Sequence, residues 1–194
     1  KIHTGSVVQG VRRTPAGVEI RTFSDEWKKF DSVVMASHSD QSLKMLENPS
    51  NEEAKLLSAI KYQKNQAYLH SDTIVMPKRK RCWSSWVYAS DELDNSNPVG
   101  VSYWMNRLQP ISGNENFFQS LNPNREIKQE LIYDQKTFMH PVFDREALSA
   151  QEKFNTIQGR NNTWYCGAWL RNGFHEDGYS SAVDILENIG MVSV

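Results

Sequence analysis

The chain has 194 residues, 39% hydrophobic and 23% charged, which allows one substantial domain or two small ones with a packed core and argues against disorder. Lysine and arginine total 22 against 23 aspartate and glutamate, so no nucleic-acid partner held by broad phosphate neutralisation is expected. No apolar run is long enough to make an integral membrane segment, and the two cysteines, Cys82 and Cys166, make no disulfide framework and point to a reducing, cytoplasmic setting.

Ser6 to Arg13 is rich in β-branched residues and stops at Thr14-Pro15-Ala16-Gly17, after which Val18 to Phe23 alternates apolar and polar residues. Two such runs around a Pro/Gly turn predict a β-hairpin. Asp31 to Ala36 predicts a short strand buried on both faces. It leads into Ser37-His38-Ser39-Asp40-Gln41, whose hydroxyl and carboxylate groups suit the start of a helix carrying Leu43 and Leu46. A second helix should follow Pro49, capped by Ser50 or Asn51, with Ala54, Leu57 and Ile60 on one face.

From Asn65 to about Phe138 the sequence turns to strands rich in aromatics: Ala67 to His70, Trp83 to Tyr88 and Val99 to Met105. The connections Asp91 to Pro98 and Gly113 to Asn116 are polar, and the block reads as an antiparallel sheet. A helix over Arg145 to Ile157, a buried strand over Thr163 to Ala168 and a last helix over Asp177 to Ile189 complete the chain. The expected fold is α+β, an α/β domain interrupted by an inserted antiparallel sheet. The sequence opens at Lys1 without an initiator methionine, and its first residues read like the interior of a fold, so a piece of a longer protein is expected.

The stretch from Trp164 to Leu186 holds three adjacent ionisable residues, His175-Glu176-Asp177. A zinc site would need ligands converging at helical spacing, whereas adjacent side chains diverge and no second histidine is near, so no metal is expected. A serine hydrolase of the nucleophile-elbow type would show G-x-S-x-G, which is absent. A helix N-terminus is the third reading. Tyr179, Ala182, Val183, Leu186 and Ile189 share one helical face, and Gly173 and Gly178 flank the entry. The unpaired first-turn N–H groups would attract an anion or an electron-rich carbonyl. Plain dipole capping by Glu176 and Asp177 explains the same pattern.

Other features carry a chemical reading beside a structural one. His70 and Asp72 alternate on a strand and so share a face, as an oriented acid/base pair or as a satisfied polar pair. His140 before Pro141 is open to the same two readings. Trp83, Trp86, Tyr103, Trp104 and Trp169 could line an apolar substrate cavity or pack as core. Lys78-Arg79-Lys80-Arg81 reads as a solvated hairpin tip between two strands.

Cys166-Gly167-Ala168 followed by Gly173-Phe174-His175-Glu176-Asp177-Gly178-Tyr179-Ser180-Ser181-Ala182 resembles the C-terminal flavin-binding segment of the flavin-containing amine oxidase superfamily. It is closer still to a bacterial-type branch described as predicted NAD/FAD-binding proteins. The same branch is similar at Val33 to Gln41, Leu69 to Asp72, Met76-Pro77, Trp83 to Trp86, Tyr103 to Gln109, Leu121 to Pro123 and His140 to Phe143. The resemblance thus runs over nearly the whole chain. Such flavoproteins hold the FAD pyrophosphate on a G-x-G-x-x-G turn, and none of the ten glycines here forms it.

The resemblance implies a C-terminal portion of an FAD-dependent, amine-oxidase-like oxidoreductase. Residues 1–62 would be a partial FAD-binding domain with connecting helices, 63–143 the substrate-domain sheet, and 144–194 a helix and the C-terminal FAD-binding segment. It implies that Val8 lies near the adenine, that Gly167-Ala168 approach the ribityl-pyrophosphate region, and that Glu176-Asp177-Gly178 bring a helix N-terminus to the flavin ring, with Gly173, Phe174 and His175 leading in. Catalysis would pass hydride from a small-molecule substrate to the flavin, with His70, Asp72 and His140 as candidate bases. The alternative from another class is a non-catalytic folded module that binds no FAD alone. Either way, apolar surface left open by a missing half-domain should favour self-association.

Overall fold

The computed structural model describes residues 1–23, 26–90 and 99–190. In chain order the elements are β1 (Gly10–Thr14), β2 (Gly17–Arg21), β3 (Trp27–Phe30), β4 (Val33–Met35), α1 (Ser39–Met45), α2 (Asn51–Ala59), β5 (Lys61–His70), β6 (Trp86–Ala89), β7 (Gly100–Trp104), α3 (Met105–Leu108), β8 (Phe118–Leu121), β9 (Ile132–Val142), α4 (Arg145–Lys153), β10 (Thr163–Tyr165) and α5 (His175–Asn188). Single 3₁₀ turns fill several connections. The fold is α+β as expected, and its residues divide into two compact units, Lys1–Tyr62 with Pro141–Val194, and Gln63–His140. The polar connection Asp91 to Pro98 lies outside the described residues.

In the first unit the expected hairpin is present: β1 and β2 pair antiparallel, with Thr14 opposite Gly17 around Pro15-Ala16. Gly17 is required there, since its φ is +137° and a Cβ would fall 2.4 Å from the Phe30 carbonyl. That close approach comes from β3, a third strand antiparallel to β2. Its sequence, Trp27-Lys28-Lys29-Phe30, carries no alternating signal. What holds Trp27 is the guanidinium of Arg12, 4.4 Å from the ring centroid, and that of Arg21 at 5.1 Å.

The second sheet of this unit is the parallel pair β4–β10, with Val34 opposite Trp164. β4 is not buried on both faces: Val34 is 47% exposed. α2 starts where the sequence places it, with Ser50 and Glu53 closing a capping box. α1 does not use a side-chain cap, because its N-cap is His38. A core of Val11, Met35, Leu56, Leu57, Ile60, Phe154, Tyr165 and Trp169 joins these elements. Inside it Glu53 accepts from Tyr165 Oη at 2.7 Å, from Arg13 Nη1 at 2.8 Å and from the Ser50 N–H at 2.7 Å. A second Arg13 nitrogen donates to the Asn48 carbonyl.

The second unit is a five-stranded sheet in the order β6-β7-β8-β5-β9, with antiparallel ladders from β6 through β5. Register sorts its side chains. Trp104, Phe118 and His70 stand on one face with Val87, Ser102, Ser120 and Tyr68. The opposite face carries Trp86, Tyr103, Gln119 and Leu69, then Tyr88, Val101, Leu121 and Ala67. Phe118, Val75, Met76 and Ile127 form the core on the first face, joined by Trp83 and Trp104. Because β6 and β5 are separated by β7 and β8, Lys78 to Arg81 is not a hairpin tip. It is part of the crossover from β5 to β6, which includes a 3₁₀ turn at Lys80–Cys82.

Candidate functional site

β4 and β10 run parallel, so their carboxyl ends open on the same side, the side on which α/β folds place ligands. Beyond β10 the chain passes through Cys166 and Gly167, makes a 3₁₀ turn at Ala168–Leu170, and enters α5 at Phe174. The Gly167 N–H donates to Ser181 Oγ at 2.9 Å, and that hydroxyl donates to the Gly178 carbonyl at 2.8 Å. At Gly178 the first turn of α5 sits on the Ala168 backbone, where a Cβ would make an ordinary contact with Ala168 N at 3.6 Å. Gly167 has a φ of +151° and leaves room for the Trp169 indole, which a Cβ would meet at 2.5 Å.

The helix entry explains the acidic pair. Asp177 Oδ2 accepts the Phe174 N–H at 2.9 Å, tying the N-cap to the first turn. Glu176 stays exposed beside Ser180, 3.5 Å away. By helix geometry the N–H groups of His175, Glu176 and Asp177 have no intrahelical acceptor, and His175 and Glu176 are exposed. Two carboxylates in this turn oppose a full anion, so the donors suit a neutral, electron-rich carbonyl edge better than a phosphate.

The apolar stripe read from the sequence is not the buried face of α5. Ser181 and Ile185 are buried while Tyr179 is 68% exposed and Leu186 and Ile189 also reach solvent. Contact through Gly178 and Ser181 brings the helix closer to the turn than bulky side chains could, and that rotates the stripe outward.

At the end of β4, Cys166 N–H donates to the Met35 carbonyl at 3.1 Å and Trp169 Nε1 donates to the Ser37 carbonyl at 3.1 Å. The next residue, His38, stacks on Tyr62 with ring centroids 4.3 Å apart and planes 15° from parallel. Tyr62 Oη accepts the Ser39 N–H at 2.8 Å and lies 3.3 Å from Ser39 Oγ. Burial pushes the Tyr62 phenol up, so it stays a neutral donor. This aromatic pair was missed from sequence; stacking between residues so far apart in the chain leaves no local pattern. Val8 lies half-buried against the core of this unit.

In the sheet unit His70 is fully buried, with Nε2 2.9 Å from Ser120 Oγ, which lies 2.7 Å from Ser102 Oγ. Burial lowers the imidazole below its usual value against the opposing pull of Asp72. Asp72 is also buried. Its Oδ1 accepts the Ile74 N–H at 3.0 Å and its Oδ2 the Lys128 N–H at 3.1 Å. His140 is half-buried, with Nδ1 2.7 Å from Asn65 Nδ2, and Asn65 Oδ1 accepts from Asn122 at 2.9 Å.

The five aromatics suggested for a cavity separate. Trp83 and Trp104 meet edge to face at 5.2 Å on the packed side of the sheet, and Trp83 Nε1 donates to the Pro77 carbonyl. Trp86 and Tyr103 meet at 5.1 Å on the other side, beside Tyr88, with Trp86 43% and Tyr88 64% exposed. Trp169 is core of the first unit. Among the described residues no three histidine, cysteine, aspartate or glutamate side chains gather as metal ligands, and no helix is long and apolar enough to cross a membrane.

No family model matches the chain and no curated protein matches it significantly. Solved structures do. The chain is similar to a CLA-producing fatty acid isomerase from P. acnes, at 16% identity and a TM-score of 0.63, over 95% of this chain and 47% of that one. It is also similar to a putrescine oxidase variant from a structure-based redesign of cofactor binding, at 9% identity and a TM-score of 0.56, over 94% of this chain and 48% of that one. The chain therefore spans about half the length of these structures. What the likeness shows is the fold that this chain shares with part of those two structures.

Proposed function

We propose that this chain contributes part of the flavin site of an FAD-dependent, amine-oxidase-like oxidoreductase acting on a small molecule. The observation that carries the proposal is the α5 N-terminus, held by Gly178 and Ser181 on the Gly167-Ala168 turn at the carboxyl ends of two parallel strands. Its exposed N–H donors and flanking carboxylates fit the carbonyl edge of a flavin ring. Bound FAD would supply the hydride acceptor. The protein's share is to aim backbone N–H groups at the edge that gains negative charge on reduction, a pre-set stabilisation that needs no side-chain proton transfer.

In this reading Gly167 and Ala168 approach the middle of the cofactor, Val8 its adenine end, and Gly173, Phe174 and His175 the ring. The open sheet face with Trp86, Tyr88 and Tyr103 is the better candidate for substrate contact than Trp83 and Trp104, which are packed against Phe118 and each other. Of the three candidate bases, His140 is the one that is not buried. Free Cys82 and Cys166 support a reducing, cytoplasmic setting. Exposed Tyr179, Leu186 and Ile189 on α5 support self-association.

A non-catalytic module is the second reading, favoured by the lack of any G-x-G-x-x-G among the ten glycines. Titration of the purified chain with FAD, followed by flavin fluorescence, separates the two. Binding that weakens in a Gly178→Val variant with unchanged circular dichroism supports the flavin site. A colourless chain that takes up no added FAD assigns this polypeptide to the second reading.

A further inference from the structure

The crossover from β5 to β6 has a chemistry that the flavin reading leaves unused. Lys78, Arg79, Lys80 and Arg81 are consecutive and all exposed. None forms a side-chain ion pair or hydrogen bond among the described residues; Lys80 alone has a ring contact, 5.7 Å above Trp83. Arg125 and Lys128 join Lys78 along a groove of about 540 Å³. Two carboxylates share that groove, and one of them, Asp72, has both oxygens taken by backbone N–H groups. Three cations thus line the groove beside Asp72 and Glu126, with Arg125 Nη1 also donating to the Ile74 carbonyl at 2.7 Å, and the exposed Arg79, Lys80 and Arg81 continue the run from Lys78 in a chain of net charge −1. Ile74, at the rim of the same groove, is 44% exposed.

We propose that this crossover is a docking surface for anionic phospholipid membranes, with the basic side chains on headgroup phosphates and Ile74 entering the acyl boundary. Basic clusters of this size beside an exposed apolar side chain gain both electrostatic and hydrophobic attraction at a lipid surface. A single-stranded nucleic acid fits less well. It wants aromatic faces free for base stacking, and Trp83 is already held by Phe118, Trp104 and the Pro77 carbonyl.

The test is flotation of the full chain with vesicles of phosphatidylcholine alone and of phosphatidylcholine with phosphatidylserine. Binding is expected only to the second, falling with salt, and weakening about fivefold for each charge removed in the series up to Lys78→Ser/Arg79→Ser/Lys80→Ser/Arg81→Ser. These residues are exposed, so the variant should keep its circular dichroism. Ile74→Ser should weaken binding further, and Lys55→Ser/Lys153→Ser on the helical unit should leave it unchanged.

Equal binding to both vesicles, or full binding by the quadruple variant, overturns the proposal. So does release by inorganic phosphate at constant ionic strength, which assigns the groove to free phosphate. Preference for a single-stranded RNA oligonucleotide over vesicles overturns it in favour of nucleic acid.

Discussion

Changing Glu53 to glutamine removes one charge from the centre of the first unit. The Glu53 side chain is 2% exposed and that of its partner Arg13 9%. Burial alone would push the carboxyl up; the Ser50 N–H, the Tyr165 hydroxyl and the Arg13 guanidinium together overcome this and hold it below its usual value. Burial and the same carboxylate push the Tyr165 hydroxyl far up, so it remains a donor. Glu53→Gln leaves the Arg13 charge without a carboxylate, its other bond being to the Asn48 carbonyl, a loss of about 3–5 kcal/mol when one partner of a buried pair goes. At roughly 2–4 °C per kcal/mol for a chain of this size, the melting temperature should fall by about 6–20 °C.

Urea unfolding followed by circular dichroism measures the loss directly. A cycle with Tyr165→Phe should show a coupling of about 1–2 kcal/mol, because both changes touch one oxygen. The pH dependence has a definite sign. A carboxyl whose folded pKa is depressed contributes stability that is complete above its unfolded pKa, about 4.3, and is lost as pH falls through the lower folded value. Wild type should lose stability in that acid window and Glu53→Gln should be flatter there. A loss under about 1 kcal/mol, the range of exposed pairs, with no coupling to Tyr165, would refute the reasoning.

Three other expectations follow from the same structure. His70 is held below its usual pKa by burial, so its ring should stay neutral by NMR at pH values where a free imidazole is already protonated. Stability should therefore decline as pH falls from about 6.5 toward the folded value, because the unfolded chain takes the proton first. Gly167→Ala places a methyl against the Trp169 indole at a positive φ and should cost about 1–3 kcal/mol in urea unfolding, with a change in tryptophan emission. Ser181→Ala removes the acceptor of the Gly167 N–H and should cost about 1–3 kcal/mol. Under the flavin proposal it should also weaken FAD uptake more than Ser180→Ala does.

Local signals explain which parts of the fold could be read in advance. The β1–β2 hairpin announces itself through Pro15 and Gly17, and α2 through Ser50 and Glu53, since turn and cap chemistry lie within a few residues. β3 could not be seen, because Trp27 is held by Arg12 and Arg21 across the sheet rather than by its own neighbours. The α5 stripe misled because hydrophobic periodicity assumes that bulky residues face the core. Here glycine and serine face it, to bring two backbones together. In the candidate site, Gly167 and the α5 entry were legible as motif. The His38–Tyr62 stack was not, and the split of the tryptophans between two sheet faces needed the register of the strands.

The line from Ser102 through Ser120 to His70 crosses three adjacent strands. Each hydroxyl has a single proton to give, so the line can be polarised in two senses. When Nε2 of His70 carries its proton, Ser120 is free to donate toward Ser102; when Nε2 is bare, Ser120 turns to it and Ser102 must donate instead. The tautomer of one buried ring and the orientation of two hydroxyl rotors are therefore one variable. Ser102→Ala would remove one end of that coupling and bias the ring's proton between its nitrogens, a shift that ¹⁵N resonances of the imidazole register.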